Sequence, residues 1–421
     1  GDIDGDGDLD AVTRNEANGG VVRPQVYQFT AATGGTGRGL SWSTADRLIG
    51  NNSPVLATGD LDGDGDLDVL TATSSGFNNT IGVLLNNGQS QFQVGASLSP
   101  GTASGATYMA LGDVDGDGDL DALVSSFNAG LLVYRNNGNA TFAAGVAQSA
   151  TGDRFALGDL DADGDLDLVV TDYQRGTVSV ALNTGSGTFV FQLLTVASPT
   201  ALHVVLGDID GDGDLDAVTR NEANGARLFL NNGTGTLSVG ATLTVPGSAD
   251  GLALADIDAD GDVDLAISYN DASAAGGLAL FANNGSGLFA RTGPAVAVGQ
   301  SAGATLFGDI DHDGDLDLFT ISQNTSSVAI RLNNGQGSFS GTQNVAVHAD
   351  PMLLALGDFD GDGDLDFMTT LSSTGTTYLD VRLNEGTVLV TTATQPGLPG
   401  VEVYPNPAHA QFVVRVPAAL R

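Results

Sequence analysis

The sequence predicts an all-β protein, a β-propeller of four-stranded blades, and three observations lead there. A nine-residue acidic phrase recurs eight times at intervals of about 50 residues, the period of an architecture whose repeat is one supersecondary unit. Each interval carries the same succession of short apolar and alternating stretches. Gly, at 60 of 421 residues, is abundant and recurs at the reversals between them. A β-solenoid would use shorter repeats, and a sandwich would not repeat in sequence. Eight repeats predict eight blades, the first without its inner strand. A seven-bladed ring that leaves the first repeat outside is the alternative.

The elements follow in order. A short apolar stretch precedes the phrase, as in Tyr108–Leu111 and Leu353–Leu356, and forms the first strand. After the phrase comes a β-rich run, such as Val69-Leu70-Thr71 or Leu168–Thr171. The third strand alternates strictly: Val178, Val180, Leu182 in one repeat and Val328, Ile330, Leu332 in another. It usually ends in Asn-Asn-Gly, residues that tolerate the positive φ of a hairpin turn, at Asn86–Gly88, Asn136–Gly138, Asn231–Gly233, Asn283–Gly285 and Asn333–Gly335. An aromatic residue then opens the fourth strand, as at Phe92, Phe142, Phe189, Phe289 and Phe339.

The recurring phrase is Asp-x-Asp-x-Asp-Gly-Asp-x-Asp. The first two copies hold Asp2, Asp4, Asp6, Asp8, Asp10 and Asp60, Asp62, Asp64, Asp66, Asp68. The next two hold Asp113, Asp115, Asp117, Asp119, Asp121 and Asp159, Asp161, Asp163, Asp165, Asp167. Then come Asp208, Asp210, Asp212, Asp214, Asp216 and Asp256, Asp258, Asp260, Asp262, Asp264. Asp309, Asp311, Asp313, Asp315, Asp317 and Asp358, Asp360, Asp362, Asp364, Asp366 complete the set. Five carboxylates in nine residues repel one another unless a cation sits among them. Alternate spacing around a Gly lets a tight turn aim several oxygens at one centre. Oxygen-only ligands suit a hard cation, and a flexible, carboxylate-rich site favours calcium over magnesium, so up to eight Ca²⁺ are expected.

These motifs also explain the charge. Forty of the 51 acidic residues lie in them, so the net −37 is local to the loops, and the rest of the chain is close to neutral. Such acidity repels nucleic acid and anionic lipid, and neither is an expected partner. All 14 basic residues are Arg, Cys is absent, and no apolar run is long enough to span a membrane. Loops closed by metal would supply the staple that a secreted chain without disulfides needs.

An EF-hand loop begins in the same way but closes with Glu at position 12 between helices. Here position 12 is Thr13, Thr71, Val124, Val170, Thr219, Ile267, Thr320 or Thr369, all in strand-forming runs. The phrase instead resembles the calcium loop of the FG-GAP (VCBS) repeats of integrin α-subunit propellers and bacterial surface proteins. The resemblance covers residues 1–390. It implies that the loop joins the first two strands of each blade. It also implies that positions 1, 3, 5 and 9 bind through side chains and position 7 through its carbonyl. His312, at position 4, is not an expected ligand. The calcium is expected to be structural, each site lying within one blade.

Residues 391–400 read as a Pro/Gly/Thr linker, and 401–421 carry Tyr404-Pro405-Asn406-Pro407 before the apolar Gln411–Val416. This end resembles the start of a C-terminal sorting domain of the type IX secretion system, cut short. The resemblance implies passage through that machinery to the outside or the cell surface. Gly1 stands inside a motif with no strand before it, so the chain is expected to continue upstream, to a signal peptide. Residues 1–19 repeat residues 207–225 letter for letter.

No catalytic spacing is visible. The four His residues (His203, His312, His348, His409) are scattered, and Arg14, Arg220, Tyr173 and His203 lie at different phases of their repeats, which argues against convergence. The expected function is therefore a non-catalytic module that binds a surface ligand, glycan or protein. A polysaccharide-degrading, lyase-like propeller and a plain surface spacer are the alternatives. The stretch holding Arg23, Tyr27, Arg38, Trp42 and Arg47 is the candidate binding segment, although a lone Trp more often packs between blades.

Overall fold

The computed structural model describes residues 40–51, 55–75, 78–98, 106–126, 129–148, 152–197, 201–221, 225–271, 275–371 and 376–387, with short strands at 11–14, 24–27, 402–406 and 411–415. The chain divides into two compact units, one spanning Trp42–Asn384 and the other made of residues 1–41 and 385–421. In the latter, Ala11–Arg14 pairs with Pro24–Tyr27, and Glu402–Asn406 with Gln411–Arg415, both antiparallel. Among the described residues no helix is long and apolar enough to cross a membrane.

The larger unit is a ring of seven antiparallel sheets. Blade 1 holds Leu56–Gly59, Asp68–Ser75, Asn78–Leu85 and Gln93–Val94. Blade 2 starts at Ala106–Gly112, blade 3 at Arg154–Gly158, blade 4 at Ala201–Gly207, blade 5 at Ser248–Ala255 and blade 6 at Ala302–Gly308. Each adds three more strands in chain order. Blade 7 runs Pro351–Gly357, Asp366–Leu371 and Thr376–Thr387, and is completed by Leu40–Thr44 and Arg47–Asn51 from the other end of the chain. The first strands neighbour one another in cyclic order, blade 7 against blade 1, and so line the axis.

The ring therefore has seven blades, not the eight that the motif count predicts. The reason is its seam: residues 40–51 provide the outer edge of blade 7, so the repeats from Asp60 onwards close on themselves. The first motif, Asp2–Asp10, lies outside the described residues. Trp42 packs its ring edge-on to Phe367 of blade 7, 5.0 Å between centroids, as part of the closing strand. The candidate binding segment is thus in part a structural seam; Arg23 and Arg38 lie outside the described residues. Asp46 ties this edge down: the Val381 N–H and the Arg382 guanidinium both donate to its carboxylate.

The core is built from repeated inter-blade contacts. Position 2 of each motif is a buried apolar residue (Leu61, Val114, Leu160, Ile209, Ile257, Ile310, Phe359) packed between neighbouring blades. At the end of the first strand stands Gly59, where a Cβ would fall 2.7 Å from Leu120 of blade 2. Gly112, Gly158, Gly207, Gly308 and Gly357 repeat this close approach, the last against Leu67 of blade 1. Small residues here let each inner strand approach the next blade.

Candidate metal centre

In all seven described motifs the acidic phrase is the connection between the first and second strands, so seven loops share one face of the ring. The position 1 carboxylate organises the turn. In blade 1, Asp60 Oδ1 accepts from the N–H groups of Gly63 (2.8 Å) and Asp64 (3.2 Å), and Oδ2 from that of Gly65 (3.0 Å). Gly65, at position 6, has φ +94°, which accounts for the one invariant Gly. Position 5 holds position 7, the Asp66 N–H donating to Asp64 Oδ1.

Position 9 is fully buried. The Leu61 N–H donates to Asp68 Oδ2 (3.0 Å) and the Asn86 N–H to Asp68 Oδ1 (2.8 Å), which ties the loop to the end of the third strand. The same pair of donors meets Asp121, Asp167, Asp216, Asp264, Asp317 and Asp366.

Position 3 differs. Oδ1 of Asp62, Asp115, Asp161, Asp210 and Asp258 is buried and accepts no hydrogen bond. Around it, one oxygen each from positions 1, 3 and 9 lie within 4.8 Å of one another in Asp60/Asp62/Asp68, Asp113/Asp115/Asp121, Asp159/Asp161/Asp167 and Asp208/Asp210/Asp216. A buried carboxylate oxygen without a donor is costly. A hard cation held by these oxygens would supply what is missing, so the donor set fits calcium.

The structure sorts the expected ligands. Positions 1, 3 and 9 converge, and position 5 stands close enough for its charge to raise the carboxyl pKa at position 3, after burial itself. The position 7 carboxylate turns instead towards the hairpin between strands three and four: a Cβ on Gly88 would sit 2.6 Å from Asp66 Oδ1. That side chain is not among the converging oxygens of positions 1, 3 and 9. His312, with φ +58°, reaches blade 7, its Nε2 lying 3.2 Å from the Gly363 carbonyl. In blade 2 a guanidinium approaches the trio, Arg135 Nε standing 3.3 Å from Asp115 Oδ2.

Burial pushes the position 9 carboxyls up, to about 6 for Asp68, Asp121, Asp216 and Asp264, about 7 for Asp317 and about 8 for Asp366. An acid whose pKa is raised on folding binds its proton more tightly in the native state. Stability is then greatest below the unfolded value of about 4 and is lost as pH rises towards 8. Metal-free protein should therefore melt at a higher temperature at pH 5 than at pH 8. With calcium the order should reverse, because its ligands must be deprotonated. Calorimetric scans at the two pH values, with chelator and with calcium, check both signs; an unchanged order would refute the linkage.

One set of residues was not foreseen as anything but turn-formers. The first Asn of each Asn-Asn-Gly is buried, and its side-chain amide donates to the position 2 carbonyl of the preceding blade: Asn136 to Leu61, Asn231 to Leu160, Asn283 to Ile209 and Asn333 to Ile257, each at 2.8 Å. Asn183 and Asn384 do the same where the rest of the turn differs, to Val114 and Ile310. Asn86 to Phe359, at 2.9 Å, closes the circle. The signal in the sequence is that this Asn and the Gly two residues on persist where the residue between them varies, as in Asn183-Thr184-Gly185 and Asn384-Glu385-Gly386.

A second correction concerns the opposite face. His203 and Arg220, expected to lie apart, converge there with Arg154 near the axis: both guanidinium charges bear on the His203 imidazole. Tyr173 is exposed on a turn of blade 3, and Arg14 has no described side chain.

These features define a class: a ring of FG-GAP-type blades, each with an oxygen-lined loop at the end of its inner strand. The sequence model of the FG-GAP-like repeat matches residues 60–124, 118–170, 159–219, 208–267, 256–320 and 309–369. The chain belongs to this repeat family. No curated protein matches it. Among solved structures it is similar to a lectin from Burkholderia pseudomallei (TM-score 0.58, 12% identity, 80% of this chain and 97% of that one). It is also similar to the N-terminal BBS1 structure solved with ARL6 (0.56, 15%, 82% and 97%). A third is the periplasmic gluconolactonase PpgL of Pseudomonas aeruginosa (0.53, 18%, 77% and 93%). At these identities the likeness is one of fold.

Proposed function

We propose that this is a secreted or cell-surface propeller that binds calcium in its loops and acts as a non-catalytic adhesion or ligand-binding module. The observation that carries it is the buried, donor-less Oδ1 at position 3, held beside carboxylate oxygens from positions 1 and 9 in successive blades. Calcium there would neutralise the trio and lock each loop to its own blade, leaving the faces of a rigid ring to meet a ligand. The tail resembling a type IX sorting domain supports export and a surface setting, with the secretion machinery as a partner.

The convergence of Arg154, His203 and Arg220 favours one second reading, a lyase-like enzyme acting on acidic polysaccharide, since such chemistry needs basic groups in one mouth. The experiment is to count bound calcium by calorimetric titration of the chelator-stripped protein, then to screen the loaded protein against acidic and neutral polysaccharides. Several calcium ions per chain and binding without cleavage are expected. Calcium-dependent cleavage would overturn the non-catalytic reading, and an absence of calcium uptake would overturn the metal.

A further inference from the structure

We propose that the axial mouth on the face opposite the acidic loops is a binding site for a carboxylate group. Four consecutive blades bring polar side chains to the far ends of their inner strands. Arg154 opens the inner strand of blade 3; its Nη1 donates to the Thr107 carbonyl of blade 2, and its guanidinium carbon lies 5.1 Å from the centroid of the Tyr108 ring. Tyr108 is fixed edge-on to Phe155 at 5.0 Å. In blade 4, Arg220 reaches across to blade 5, where Nη1 donates to the Asp250 carbonyl (2.7 Å) and to its Oδ1 (2.5 Å). His203, on the inner strand of blade 4, faces both guanidinium groups and has a buried Nδ1 with no hydrogen-bond partner.

The charges do not cancel. Asp250 neutralises Arg220, but Arg154 forms no ion pair among the described residues, and Asp153 beside it accepts the Tyr173 N–H. Arg154 is largely desolvated, and burial and the like charge of Arg220 both bear against its charged form, opposed by Tyr108 and Asp153. Burial and those two cations hold the His203 imidazole neutral, its pKa pushed down to about 4. A desolvated guanidinium with no ion-paired carboxylate, beside an imidazole whose buried Nδ1 has no partner, is what an arriving carboxylate would complete. The planar fork of Arg matches its two oxygens. This site deepens the ligand-binding reading and rests on it for its purpose, but its residues are separate from the calcium loops. The carboxylate could belong to a uronate of an acidic saccharide or to a free organic acid.

The test uses the full, calcium-loaded chain, titrated calorimetrically with trigalacturonate, with neutral maltotriose and with acetate. Trigalacturonate is expected to bind, and Arg154→Gln to weaken it at least tenfold with calcium content unchanged. If Arg154→Gln does not fold, Arg154→Lys, which keeps the charge and loses the fork, should still weaken binding. In the unmodified protein the His203 imidazole resonances should move on saturation. Acetate competing on equal terms would assign the site to free carboxylates; inert acetate would assign it to the saccharide; either supports it. Equal binding of maltotriose, unmoved His203 resonances, full affinity in a folded Arg154→Gln protein, or no binding by any probe would overturn it. Trigalacturonate binding by a protein that takes up no calcium would fault the calcium reading alone.

Discussion

Stripped of calcium by a chelator, the ring is expected to melt at a far lower temperature, and magnesium to restore it poorly. At calcium ten times over its dissociation constant, each site that binds only the folded state contributes about 1.4 kcal/mol. Seven such loops give about 10 kcal/mol, comparable with the whole stability of an ordinary domain at about 5–15 kcal/mol. Extracellular calcium modules bind at about 10⁻⁴ to 10⁻³ M, so millimolar calcium is the regime in which this contribution appears and disappears. Magnesium is smaller and parts reluctantly with its water, so loops that offer many carboxylate oxygens suit it less. Differential scanning calorimetry with chelator, calcium and magnesium decides the matter. An unchanged melt in excess chelator would remove calcium from the fold.

The second large effect separates two aspartates of one loop. Asp210→Ala, at position 3, removes an oxygen that accepts no hydrogen bond, so it should abolish one calcium and cost little else. Asp216→Ala, at position 9, leaves the buried N–H groups of Ile209 and Asn231 without an acceptor. Each such orphan costs about 1–3 kcal/mol, so this variant should lose several kcal/mol, about 2–6, even when calcium is absent. Chemical unfolding in chelator distinguishes them: Asp210→Ala should be at least as stable as the parent there and Asp216→Ala less stable. Equal behaviour would mean that position 9 is only a ligand.

The four-stranded blade was legible because its signals are local: period-two alternation, a turn-forming Asn-Gly pair and an aromatic opening the fourth strand all lie within one repeat. The blade number was not. The first motif is intact as sequence, whereas the strands that complete blade 7 come from residues 40–51, which carry neither the acidic phrase nor the Asn-Asn-Gly turn of the repeat. The seven-residue Asn circle hid for a related reason: each amide meets a carbonyl at least 69 residues away in the chain. The acidic loops stand out in the sequence as repeated groups of carboxylates, but the hydrogen bonds each carboxylate makes do not. Spacing alone does not reveal that position 9 is buried beneath two backbone donors. That His203 and Arg220 come together was not legible, because phase along the repeat says little about distance near an axis, where the ends of successive blades lie close.

The seam in blade 7 also sets an order of events. A chain made from its N-terminus presents residues 40–51 first and the strand they pair with, Thr376–Thr387, more than three hundred residues later. Blades 1 to 6 contain only contacts between near neighbours and can form as an open arc, whereas joining the two ends waits for the last repeat and bears the entropy of the longest loop in the molecule. Until then the edge of the arc offers unpaired strands to any passing chain. Under the proposal of export and calcium loading, passage across a membrane would favour either an unfolded chain, with closure delayed until calcium is plentiful outside, or a finished ring, and penalise everything between.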